Sequence, residues 1–116
     1  METILTNENF DSLINGDKPM LIDFYADWCG PCRMIMPYIA ELAETYSDRA
    51  VIARCNVDDS PEIAGRYGVR NIPTVLFIKD GRVFHQIYRG ASSNEQMYQK
   101  ISDTLTVLAK GGEHDA

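Results

Sequence analysis

Apolar residues along the chain alternate between near-continuous runs and a 3.6-residue rhythm, and that alternation predicts strands interleaved with helices. A short strand, Thr3 to Leu5, precedes a helix capped by Thr6 or Asn7, with apolar positions Phe10, Leu13 and Ile14 and a stop near Gly16. Pro19 opens the run Met20-Leu21-Ile22-Asp23-Phe24-Tyr25-Ala26, whose apolar continuity fits a central strand covered on both faces. From Cys32 to about Ser47 the positions Ile35, Ile39, Leu42, Ala43 and Tyr46 repeat at helical spacing, and Pro37 inside that pattern predicts a kink. Ala50 to Val57 reads as the next strand, so the helix between makes a βαβ unit.

Ser60-Pro61-Glu62 supplies a cap, a first-turn proline and an acid for a short helix through Ile63, Ala64 and Tyr67, ended by Gly68. Thr74 to Ile78 and Arg82 to Tyr88 flank Asp80-Gly81, a hairpin signal that makes the last two strands antiparallel and the sheet mixed. Ser92 and Ser93 each stand three residues before Glu95 and Gln96, a capping-box pattern. Met97, Tyr98, Ile101, Leu105 and Leu108 then form the buried stripe of a final helix. The expected domain is 1–109, an α/β fold with a central mixed five-stranded sheet and four helices; 110–116 reads as a flexible tail.

The candidate chemistry lies in Cys29-Gly30-Pro31-Cys32, where the apolar strand gives way to the long helix. Residues i and i+3 on a helix have Cβ atoms roughly 5–6 Å apart, near what a disulfide needs. At the helix start Cys29 meets free N–H groups and the positive dipole end, which favour thiolate, so Cys29 is the expected attacker. Cys32, one turn inward, is expected to stay protonated and to act as the resolving thiol. Gly30 permits close approach to the sulfur, and Pro31 fits a first helical turn. Zinc is the rival reading, but Cys55, His85 and His114 form no second ligand pair at close spacing, so no metal is expected. His85 and His114 read as ordinary polar residues.

At 116 residues the chain suits one domain with its own core, and three cysteines are too few for a disulfide framework. The net charge of −6, without a Lys or Arg cluster, argues against a nucleic-acid partner. No run approaches the ~20 apolar residues that span a bilayer, and no export signal is evident, so no membrane partner and a cytoplasmic location are expected.

Asp23 is anomalous because an acid inside an apolar strand is costly unless paired, hydrogen-bonded or neutral. Period 2 puts it on one face with Tyr25 and Asp27; the bland alternative is a solvent-facing acid. Arg54, in the neighbouring strand, is either a snorkelling surface cation or a partner for that acid, and a guanidinium cannot release its proton. Cys55 points opposite Arg54 and reads as a small buried hydrophobe. Trp28 adjoins the attacking cysteine, where loops carry function.

Trp28-Cys29-Gly30-Pro31-Cys32, Asp23, Pro37 and Ile72-Pro73-Thr74 together closely resemble the thioredoxin family over about residues 3 to 109. The resemblance implies the thioredoxin fold and a protein disulfide reductase, with no bound cofactor. It also implies disulfide-containing client proteins and recharging by a flavin-containing thioredoxin reductase that draws on NADPH; a monomer is expected. By residue, it implies Asp23 as a buried carboxylate taking the proton of Cys32, with Arg54 where relatives commonly carry lysine. It further implies Trp28 as a lid, a cis bond before Pro73, and a docking surface of Trp28, Gly30, Pro31, Ile72, Gly90 and Ala91. Tyr25 stands where many relatives have tryptophan, Asn71 replaces a small residue, and Cys55 is additional. The alternatives are a disulfide oxidant or isomerase, and an adaptor that binds through the same apolar groove without redox chemistry.

Overall fold

The computed structural model describes residues 2–114, with side chains through residue 109. Among these residues the order is β1 (Thr3–Ile4), α1 (Phe10–Ile14), β2 (Met20–Tyr25), α2 (Gly30–Thr45), β3 (Val51–Asn56), α3 (Pro61–Arg66), β4 (Thr74–Lys79), β5 (Arg82–Tyr88) and α4 (Asn94–His114). The strands make one sheet in the order β1-β3-β2-β4-β5. β1, β3 and β2 run parallel, while β4 lies antiparallel to β2 and β5 antiparallel to β4. β2 is therefore central, and its apolar run is explained by burial on both faces.

Alternation along the strands sorts the core into two layers. Leu21, Ile52, Val75 and Phe77 pack with Ile35 and Ile39 of α2 and with the Met97–Ile101–Leu105 stripe of α4. Met20, Ile22, Phe24 and Cys55 face the other way, against Phe10 and Ile14 of α1 and Ile63 of α3. The α2 row Cys32, Ile35 and Ile39 thus covers the β2 face that carries Asp23.

Local chemistry sets the boundaries. Asp80 (φ 54°) and Gly81 (φ 77°) both take the left-handed conformation of a two-residue hairpin turn, as Asp-Gly predicts. Ser93 and Gln96 exchange bonds, Gln96 N–H to Ser93 Oγ at 3.1 Å and Ser93 N–H to Gln96 Oε1 at 2.8 Å, which completes the capping box. Ser92 instead turns its hydroxyl to the Arg89 carbonyl.

Several expectations are corrected. α1 is capped at Asn9 rather than at Thr6 or Asn7, because Thr6 and Asn9 bond each other's backbone N–H and close a turn first. Asp27 does not continue the Asp23 face, since β2 ends at Tyr25 and Asp27 is exposed in the following turn. The pairing of β4 with β5 shifts at Phe77/Ile78, leaving Phe84 opposite no residue of β4. Helical backbone of α4 runs to His114, past the last apolar position Leu108; residues 115–116 of the expected tail lie outside the described residues.

Candidate active site

Cys29 is the N-cap of α2, with φ −87° and ψ 108°, and Gly30 and Pro31 follow as the first helical residues. Its Sγ accepts the Cys32 backbone N–H at 3.2 Å, so one donor left free by the helix start is aimed at that sulfur. Cys29 and Cys32 are joined as a disulfide with Cα atoms 5.3 Å apart. Cys29 is less open than its place at a helix start suggests: it is 5% exposed against 0% for Cys32, because Ala26, Val57 and Ile72 pack around the pair. Both cysteines are buried, and only the outer one retains any exposure.

Asp23 is fully buried, which removes the solvent-facing alternative. It lies in the layer beneath α2 that also holds Cys32, between Leu21 and Tyr25 on its face of β2. Its carboxyl is pushed up from 3.8 to about 6, chiefly by loss of water, while the Arg54 guanidinium opposes that rise. Arg54 is no surface cation either; it is 7% exposed, its Nε reaches Asp23 Oδ2 at 3.5 Å, and its guanidinium sits 3.9 Å from the Tyr25 ring centroid. The aromatic residue at position 25 gives the buried cation a face to stack on.

Around the sulfurs, Trp28 is 68% exposed and its indole N–H donates to Asp58 Oδ2 at 2.9 Å. Asp58 is held in turn by the end of β3, where Asn56 Oδ1 accepts the Asp58 N–H at 2.9 Å. Pro31, Ile72, Pro73 and Gly90 meet in one cavity, and the Ile72–Pro73 bond is cis. Ala91 is exposed but does not line that cavity. Pro37 lies inside α2, which continues through it, and is exposed on the side away from the sheet. A Cβ on Gly30 would meet nothing closer than Arg33 Nη2 at 4.0 Å, so the space beside the cysteine is open.

Sequence reasoning missed Asp58, Tyr88 and Arg89 as neighbours of the site. Asn-Val-Asp-Asp-Ser after β3 does carry an Asx-turn signal that points to an ordered loop, whereas nothing local marks Tyr88 or Arg89. Cys55 is free and fully buried on the opposite face of the sheet, with its thiol pushed up to about 11 by burial. Among the described residues no group of three His, Cys, Asp or Glu side chains is placed to hold a metal ion.

This geometry has known counterparts. The Thioredoxin family model matches residues 2–103. The chain is 44% identical over 101 residues to a thioredoxin of Alicyclobacillus acidocaldarius subsp. acidocaldarius, covering 87% of this chain and 95% of that one. It is 46% identical over 101 residues to a thioredoxin of Chlorobaculum thiosulfatiphilum, covering 86% and 93%. A solved chain from a study of how glutathione and thioredoxin systems resolve the thiol of a yeast mitochondrial 1-Cys peroxiredoxin superposes with TM-score 0.74 at 36% identity, covering 88% of this chain and 94% of that one. With a redox-active cysteine pair capping a helix over a buried acid, on this fold and at this identity, the chain belongs to the thioredoxin family and is a dithiol–disulfide reductase of that family.

Proposed function

We propose that Cys29 is the nucleophile, Cys32 the resolving thiol and Asp23 the proton acceptor in a two-step exchange. In the reduced protein, Cys29 thiolate attacks one sulfur of a client disulfide; a Cys29–client bond forms and the other client sulfur leaves as thiolate. Cys32 then gives its proton to Asp23, and its thiolate attacks Cys29 Sγ. The protein disulfide closes, the second client thiolate leaves, and the client has gained the two electrons the pair has lost.

The observation that carries this reading is the Cys32 N–H held 3.2 Å from Cys29 Sγ at the start of α2. It stabilises negative charge on the outer sulfur as the attacking nucleophile. With its carboxyl near 6, Asp23 is mostly ionised at pH 7 yet a stronger base than an ordinary carboxylate, as a proton acceptor in this step requires. Arg54 cannot carry the proton onward, so it is a positioning residue that holds Asp23 ionised.

Trp28, Gly30, Pro31, Ile72, Pro73, Gly90 and Ala91 form the docking surface for an extended client segment in this reading. The electrons come from NADPH through a flavin-containing thioredoxin reductase, and the protein works as a cytoplasmic monomer. No helix among the described residues is long and apolar enough to cross a membrane.

Incubation of the oxidised protein with purified thioredoxin reductase and NADPH tests recharging, and NADPH consumption is expected only when both cysteines are present. Cys32→Ser is expected to accumulate mixed disulfides through Cys29 that Cys29→Ala cannot form. If Cys32→Ser captures no client, the assigned roles fail; equilibrium against glutathione fixes the direction.

A further inference from the structure

The mouth of the cysteine pair is bordered by opposite charges. β2 lies between β3 and β4, so the loop after β3 and the turn before β4 flank the start of α2 from opposite sides. On the β3 side stand the exposed Asp58 and Asp59, the first of them holding Trp28. On the β4 side a cavity of about 310 Å³ beside Pro31, Ile72 and Pro73 is bounded by Tyr88 and Arg89. It shares Asn71 and Tyr88 with a neighbouring cavity of about 320 Å³, which Arg70 lines.

Neither arginine has a counter-charge. Arg70 is exposed and makes no hydrogen bond or ion pair among the described residues. Arg89 uses Nε on Asn94 Oδ1 at 3.0 Å and Nη1 on the Gly90 carbonyl at 3.4 Å, both neutral acceptors. The one salt bridge among the described residues joins Arg54 to Asp23. In a chain of net charge −6, two guanidinium groups without an acidic partner line these adjoining cavities, Arg89 in the one that reaches Pro31 and Pro73 and Arg70 in its neighbour.

Resting on the reductase reading, we propose that this double cavity is a specificity subsite for client segments that carry Asp or Glu close to the cysteine that Cys29 attacks. An extended segment advances about 3.3 Å per residue, so side chains a few positions from that cysteine reach over Tyr88 toward the arginines. Tyr88 is 51% exposed and offers an apolar face for the chain to lie on, while the planar guanidinium groups suit a carboxylate. Asp58 and Asp59 repel the same acid from the other side, so the charges also set the direction in which the client lies.

The test uses two sets of three peptide disulfides, one set for each flank of the attacked cysteine, and within a set the three differ only in having Glu, Gln or Lys within four residues of it. Reduction by the pre-reduced protein is followed by stopped flow. The Glu peptide is expected to react roughly threefold to tenfold faster than the Gln peptide at low salt, as two exposed charge contacts allow, with Lys slowest. The gap narrows at about 0.3 M salt. Arg70→Gln with Arg89→Gln brings the Glu/Gln ratio near one, whereas Arg70→Lys with Arg89→Lys retains most of it. Should Arg89→Gln fail to fold, Arg70→Gln alone is expected to cut the ratio by about half. Equal Glu and Gln rates in the unaltered protein, or a ratio that survives in the glutamine variants, overturns the subsite. Failure to reduce any of the peptides overturns the reductase reading instead.

Discussion

Arg54 Nε meets Asp23 Oδ2 at 3.5 Å across adjacent strands, while Asp23 Oδ1 and Arg54 Nη2 remain buried without a partner. One long bond compensates poorly for taking two charges out of water, which is why burial outweighs the cation and leaves the acid near 6. Arg54→Met is expected to drive the Asp23 carboxyl above that value, read from the pH dependence of its carboxyl ¹³C signal. No upward movement would mean that the guanidinium is not what restrains the acid.

Because the folded pKa of Asp23 lies above its ordinary 3.8, ionisation of this group costs stability as pH rises. Below 3.8 the acid is protonated in both states and the cost is absent; it grows between 3.8 and about 6 and is complete above, on the order of 3 kcal/mol. Asp23→Asn alone would strand Arg54, so the comparison is with Asp23→Asn combined with Arg54→Met. Urea unfolding of the oxidised proteins is expected to show stability falling through that window relative to the double variant. Parallel curves for the two proteins would remove the argument.

Gly90 adopts φ +52°, and a Cβ there would lie 2.9 Å from Tyr88 Cε2. Gly90→Ala is expected to destabilise the fold by about 1–2 kcal/mol through left-handed backbone cost, a fall in Tm of several degrees. The displaced Tyr88 ring borders the docking cavity, so client reduction should slow as well. A variant with unchanged Tm and rate would show that neither the conformation nor the ring position matters.

Cys55 packs against Phe24, Leu5 and Ile63 with its thiol raised to about 11, far from the thiolate that alkylation requires. After reduction, iodoacetamide at pH 8 is expected to leave Cys55 unmodified until the protein is unfolded, as peptide mass mapping checks. Cys55→Ser is expected to cost about 1–3 kcal/mol by placing a hydroxyl without a partner in an apolar layer. Rapid labelling in the folded state would contradict the burial.

Most of the architecture is legible in local patterns because period, caps and turn residues act over a few positions. The β2 run, the Asp80-Gly81 turn, the Ser93/Gln96 box and the cysteine cap of α2 all follow from neighbours in sequence. The start of α1 and the end of α4 were less legible, since Thr6 and Asn9 offered competing caps and helical backbone continues past the last apolar contact.

By itself the sequence determined the redox pair, its helix-start position and the anomaly of Asp23, for these depend on residue type and short spacing. Tertiary structure alone decided that Arg54 is buried against both Asp23 and Tyr25, that Asp58 restrains Trp28, and that Arg89 borders the cavity beside Pro73 and Arg70 the adjoining one. The physical reason is sheet order: placing β3 and β4 on either side of β2 brings residues from distant parts of the chain to one mouth, and no local pattern encodes which loop lands on which side.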